Sequence, residues 1–167
     1  MGDDQPLVNI NGLAHVILTV TDYEKSRQFY TRLLPAFGMT LVHDGPDFCY
    51  HVGARTALGI RKCDPEFQEE QFQQYRVGLH HLCFRARSRE DVDTAEKIVI
   101  GRGGKIVRGP EVREWAPGYY YVLFEDPDGI RLEVNFVPGT GLLKNDANFS
   151  FGEEFIRVDG EDLTNWI

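Results

Sequence analysis

Gly12-Leu13-Ala14-His15-Val16 and Gly78-Leu79-His80-His81-Leu82 read as two copies of one phrase. Each opens an apolar, alternating run; a helix-like stretch follows, and it ends at a glycine, Gly38 in one case and Gly104 in the other. His15 and His81 are 66 residues apart, and so are the two glycines, which marks an internal repeat. A repeat carries the same residue to the same structural place twice. If the two units close on each other, the two imidazoles meet, and converging imidazoles suggest a metal.

Outward from the first phrase, residues 13–20 alternate as a half-buried strand does, with Ala14, Val16, Leu18 and Val20 on one face and His15, Ile17 and Thr19 on the other. Thr21-Asp22-Tyr23-Glu24 reads as a capping box led by Thr21, and the helix behind it sets Phe29, Tyr30, Leu33 and Phe37 on one side. Strands are expected over 39–43, 48–52 and 57–62, separated by turn chemistry at Asp44-Gly45-Pro46-Asp47 and Gly53-Ala54-Arg55. The same order then recurs. A strand is expected over about 79–86, a second capping box at Ser88-Arg89-Glu90-Asp91, a helix carrying Val92, Ala95, Ile98 and Val99, and strands near 105–108, 119–124 and 130–136. The predicted fold is α+β: two βαβββ modules forming a curved mixed sheet or half-barrel around a metal site. Residues 1–137 make one domain, with modules of about 9–63 and 78–137 and a polar, partly helical connector at 64–77; 138–167 is a C-terminal tail with scattered aromatics.

Composition narrows the partners. The chain has 167 residues, 42% hydrophobic and 26% charged, enough for one ordinary core. A net charge of −8 argues against nucleic acid or an anionic membrane as the main partner. No apolar run approaches the ~20 residues that span a bilayer. Met1-Gly2-Asp3-Asp4 lacks the basic flank and apolar core of a signal peptide, and three cysteines without paired spacing fit reduced thiols, so a cytoplasmic setting is expected.

The third feature is Asp126-Pro127-Asp128-Gly129-Ile130-Arg131-Leu132-Glu133. Asp-Pro-Asp-Gly is a strong turn, and Glu133 is the one carboxylate in the apolar strand after it. A carboxylate placed there must be paired, hydrogen-bonded or metal-bound. Arg131 and Asn135 share its face, which therefore lines solvent or a cavity.

Over residues 11–138 this pattern resembles the vicinal-oxygen-chelate superfamily of glyoxalase, bleomycin-resistance and extradiol-dioxygenase proteins. The resemblance implies a divalent metal (Fe, Mn, Ni, Co or Zn) on His15, His81 and Glu133, with open positions that chelate two neighbouring oxygens of a small substrate. His81 rather than His80 takes the ligand position because it aligns with His15, and alternation would turn His80 toward the helix side. Glyoxalase I itself adds a Glu or Gln ligand on the last strand of the first module. Ala57-Leu58-Gly59-Ile60-Arg61-Lys62 offers none, so a three-ligand site is expected.

Around that site, Arg85, Tyr119 and Asn135 are candidate substrate contacts, Tyr121 a candidate hydrogen-bond donor in catalysis, and His51 a candidate acid or base. Cys83, two residues past His81, reads as a small buried hydrophobe more than a soft ligand. The function expected is lyase, isomerase or dioxygenase chemistry on a small molecule, by a homodimer. Two alternatives are a metal-free sequestering protein of the bleomycin-resistance type and a non-catalytic dimeric scaffold.

Overall fold

The computed structural model describes residues 7–139 except 9, 11 and 54. Residues 140–167, and with them nearly all of the tail assigned from the sequence, lie outside the described residues.

Each half of the repeat folds as read. The first runs β1 (His15–Val20), α1 (Tyr23–Ala36), β2 (Thr40–Asp44), β3 (Phe48–Val52) and β4 (Ala57–Lys62). The second runs β5 (Leu82–Arg85), α2 (Arg89–Gly101), β6 (Lys105–Arg113), β7 (Tyr119–Glu125) and β8 (Arg131–Phe136). A single 3-10 turn, Pro65–Phe67, is the helical part of the connector. The strands form two separate four-stranded sheets, ordered β1-β4-β3-β2 and β5-β8-β7-β6, not closed into a barrel. In each, the first strand pairs in parallel with the last of its unit, which leaves β1 and β5 as edge strands.

Helix caps show one reading that held and one that moved. Ser88 caps α2 as expected, its hydroxyl accepting from Asp91 N at 3.1 Å. At α1 the cap is Asp22, which accepts from Lys25 N, and not Thr21. Thr21 is taken by the other unit: its amide and hydroxyl both donate to the Asp128 carboxylate, at 2.5 and 2.8 Å. A long-range partner outcompeted the local one. β6 is also longer than its expected four residues and continues through 109–113. Gly109 makes this possible: φ is +81° there, and a Cβ would lie 2.3 Å from the Tyr121 carbonyl oxygen.

Packing decides where the site can be. Leu18 and Val20 (β1), Phe29, Tyr30 and Leu33 (α1), Leu58 and Ile60 (β4) join Val92 and Val99 (α2), Val122 and Phe124 (β7), and Leu132 and Val134 (β8) in one buried cluster. The two units thus share a single interior, built from the helix side of both sheets. Removing each such side chain from water contributes about 1.5–3 kcal/mol. By alternation, the opposite faces, carrying His15, Ile17 and Thr19 on β1 and Cys83 and Arg85 on β5, are turned out and exposed.

Candidate functional site

Glu133 is the organising group. It sits mid-strand on β8, 1% exposed, between the buried Leu132 and Val134, yet on the outward side of the sheet. Its two oxygens have different company. Oε1 accepts from the Tyr119 hydroxyl in a short hydrogen bond and from the Cys83 thiol at 3.3 Å. Oε2 faces His81 Nε2 across 3.7 Å. Asn135 Nδ2 in turn donates to the Tyr119 oxygen at 2.8 Å. Register explains the gathering: Cys83 and Leu123 flank Glu133 on either neighbouring strand, and Arg85 and Tyr121 flank Asn135.

The electrostatics suit a ligand pair. Burial raises the Glu133 carboxyl above its ordinary range, and the hydrogen bonds from Tyr119 and Cys83 pull the other way. Burial, and then the neighbouring His80 ring, hold His81 down at about 4, so it is a neutral imidazole at physiological pH with a lone pair to give. Burial, followed by the Glu133 charge, raises the Tyr119 phenol and keeps its proton in place.

His15 lies in the other sheet, exposed, with its ring edge-on to Tyr50 at 6.4 Å between centroids. Among the described residues, no three His, Cys, Asp or Glu side chains gather closely enough to hold a metal ion. One chain therefore brings together two members of the expected triad, His81 and Glu133. Among the described residues the two halves pack helix side to helix side, which leaves His15 and the His81–Glu133 pair on the outward faces of different sheets.

The remaining site residues sort by face. Tyr119 and Asn135 belong to the Glu133 network, and Arg85 stands exposed beside it. Tyr121 shares the outward face but is fully buried, its hydroxyl donating to Glu111 at 3.1 Å under the Trp115 ring, 5.0 Å away. Burial pushes its phenol up to about 12. His51 is on the opposite side: with Cys49 it points into the shared interior, 0% exposed, and neither ring nitrogen has a partner. Burial lowers its pKa, so it is a neutral core histidine out of reach of the site.

Three features were missed from the sequence. Cys83 was expected to be buried; it is exposed, and its thiol contacts Glu133. Trp115 folds back over Tyr121 and Leu123. His80, expected to turn toward the helix side, instead places Nδ1 2.7 Å from His81 Nδ1. Both histidines precede β5, which begins at Leu82, so strand alternation does not govern them. In the stretch that would carry a fourth glyoxalase-type ligand, Gly59 lies beside Ile17 on the outward face, and a Cβ there would meet the Phe48 ring at 2.8 Å.

Two sizeable clefts, of about 500 and 860 Å³, run along the connector and the Asp126–Gly129 turn and are lined by other residues.

With this architecture the chain belongs to the Glyoxalase/Bleomycin resistance protein/Dioxygenase superfamily, whose family model matches residues 12–134. It is 31% identical over 121 residues to the uncharacterized protein YqjT of Bacillus subtilis (strain 168), covering 72% of this chain and 94% of that one. It is 28% identical over 138 residues to the glyoxalase domain-containing protein RDO1 of Mycosarcoma maydis, covering 78% and 71%. Among solved structures, a Bacillus halodurans protein provisionally described as a glyoxalase superposes with a TM-score of 0.66 at 30% identity, covering 76% of this chain and 96% of its own. No described helix is long and apolar enough to cross a membrane.

Proposed function

We propose that the chain is a metal-dependent enzyme of this superfamily in which His81 and Glu133 of one copy, with His15 of a second copy, hold a divalent ion (Fe, Mn, Ni, Co or Zn). The observation that carries this reading is a carboxylate 1% exposed in an apolar strand, with its Oε2 3.7 Å from a neutral imidazole nitrogen. One nitrogen and one oxygen donor are a fitting partial set for such an ion, and they leave positions for substrate oxygens. The ion would act as a Lewis acid toward negative charge developing on two neighbouring oxygens of a small molecule.

A second copy is the source of the missing imidazole because the His15 face is open. Leu13 and Ile17, on either side of His15, are 75% and 47% exposed, an apolar edge that a partner would cover. Isologous pairing of two such chains would complete two sites at once.

The chain's own residues divide the remaining work. Tyr119, held by Asn135, donates a hydrogen bond to Glu133 Oε1 and so fixes which carboxylate oxygen faces His81. Arg85 presents a guanidinium at the rim and would receive an anionic group of the substrate. The test is elemental analysis of protein purified without added metal, followed by titration with Zn²⁺ or Mn²⁺. Stoichiometric uptake that is lost in His81→Ala supports the reading. No uptake by the wild type overturns it in favour of a metal-free binding protein.

A further inference from the structure

His80 is held between two rings. It crosses His81 edge-on, with centroids 5.0 Å apart and planes at 71°, and on its other side meets Tyr75 at 5.5 Å and 65°. Between the histidines, Nδ1 faces Nδ1 at 2.7 Å. The connector, through Tyr75, therefore sets His80, and His80 touches the nitrogen of His81 that faces away from Glu133.

A nitrogen-to-nitrogen hydrogen bond of this length contains one proton and one lone pair; two lone pairs repel and two N–H groups collide. The tautomers of the two rings are consequently coupled. With the proton on His80 Nδ1, His81 accepts at Nδ1 and carries its own hydrogen on Nε2, toward Glu133 Oε2. With the proton on His81 Nδ1, His81 Nε2 turns a bare lone pair toward the same carboxylate, and His80 carries its hydrogen on Nε2. Only the second arrangement allows Nε2 to act as a ligand.

We propose that His80 is the positioning residue of this site, accepting the His81 Nδ1 proton and so fixing both the ring and the nitrogen that is free toward Glu133. The proposal rests on the reading of His81 as a ligand. Passage from the first arrangement to the second is balanced. The proton between the Nδ1 atoms crosses from His80 to His81, the His81 Nε2 proton leaves to solvent, and His80 Nε2 takes one from solvent. Ligating histidines ordinarily lean on a carboxylate or a carbonyl; here a second imidazole fills that place.

Long-range ¹H–¹⁵N spectra of histidine-labelled full-length protein test the shared proton directly, before and after addition of Zn²⁺. One protonated and one bare Nδ1 are expected in the metal-free protein, and Zn²⁺ should leave His81 protonated at Nδ1 and His80 at Nε2. Two Nδ1 atoms of the same kind would overturn the proposal. Zinc affinity gives the second reading: His80→Phe should weaken it by ~10–100-fold, as loss of an outer-shell partner does, while His80→Gln, whose amide oxygen can still accept, should restore most of it. Equal affinity in the wild type and His80→Phe sinks the role of His80 and leaves the metal reading standing. No zinc uptake by the wild type removes the metal reading and, with it, anything for His80 to position.

Discussion

The Tyr30 hydroxyl donates to Asp126 Oδ2 across 2.7 Å, a buried bond between side chains 96 residues apart. Together with Thr21 and Asp128 it ties the first unit to the turn that leads into the Glu133 strand. Tyr30→Phe removes the donor and leaves the Asp126 carboxylate with the amides of Asp128 and Ile130 on its other oxygen. A hydrogen bond to an ionised partner contributes about 1.5–3 kcal/mol, and urea denaturation should show a loss of that size. An unchanged midpoint would mean that the Tyr30–Asp126 bond adds nothing to what apolar packing and the Thr21–Asp128 bonds already hold.

Acid should weaken the metal-free protein through its buried imidazoles. Burial lowers the pKa of both His51 and His81, the latter to about 4, whereas an unfolded chain takes up these protons near the ordinary value of about 6.5. Between those values the unfolded state binds more protons, so stability present above pH 6.5 is lost as pH falls toward 4. His51→Phe should flatten that slope when ΔG is measured by denaturation at half-unit pH steps. A variant with the same slope as the wild type would show that His51 is protonated without cost.

Mixing two inactive chains distinguishes a shared site from one built within a chain. His15→Ala and Glu133→Gln should each abolish tight zinc binding alone. Random exchange of the two into symmetric dimers should restore roughly a quarter of the sites, because a mixed pair pools one intact donor set. If the mixture binds no more zinc than its components, His15 does not act across copies.

Glu133→Gln keeps the shape of the side chain and its ability to accept from Tyr119, but removes the charge. Zinc affinity should fall by more than the ~10–100-fold typical of losing an outer-shell partner, with the circular dichroism spectrum unchanged. Full occupancy in this variant would rule Glu133 out as a ligand.

Oxalate, a small dianion with neighbouring oxygens, is a suitable probe for Arg85. Arg85→Gln should weaken oxalate binding to the zinc-loaded protein by roughly tenfold or more, the scale of one charge-assisted hydrogen bond, without altering zinc affinity. Equal oxalate affinity would make Arg85 a simple rim charge.

Much of this was visible in the residues themselves. Alternation assigned the faces of β1, β7 and β8 correctly, and on β1, which buries one side and exposes the other, a one-residue slip would put Leu18 into water. The Ser88 cap was legible because its partner, Asp91, is three residues away. Thr21 was not, since its partner stands 107 residues on and no local pattern encodes that distance. The His81–Glu133 pairing followed from the family resemblance rather than from the repeat, which relates only the two histidines. The separation of His15 from it did not, because identical strand patterns serve whether two units turn their helix sides or their open faces toward each other. His80 was misplaced by extending a strand period two residues beyond the point where the strand begins.

Because both helix faces open onto one interior, neither half is a spare part. A protease cut within the connector would leave two fragments that still need each other, and either fragment alone would present to water the leucines, valines and aromatics its sibling once covered.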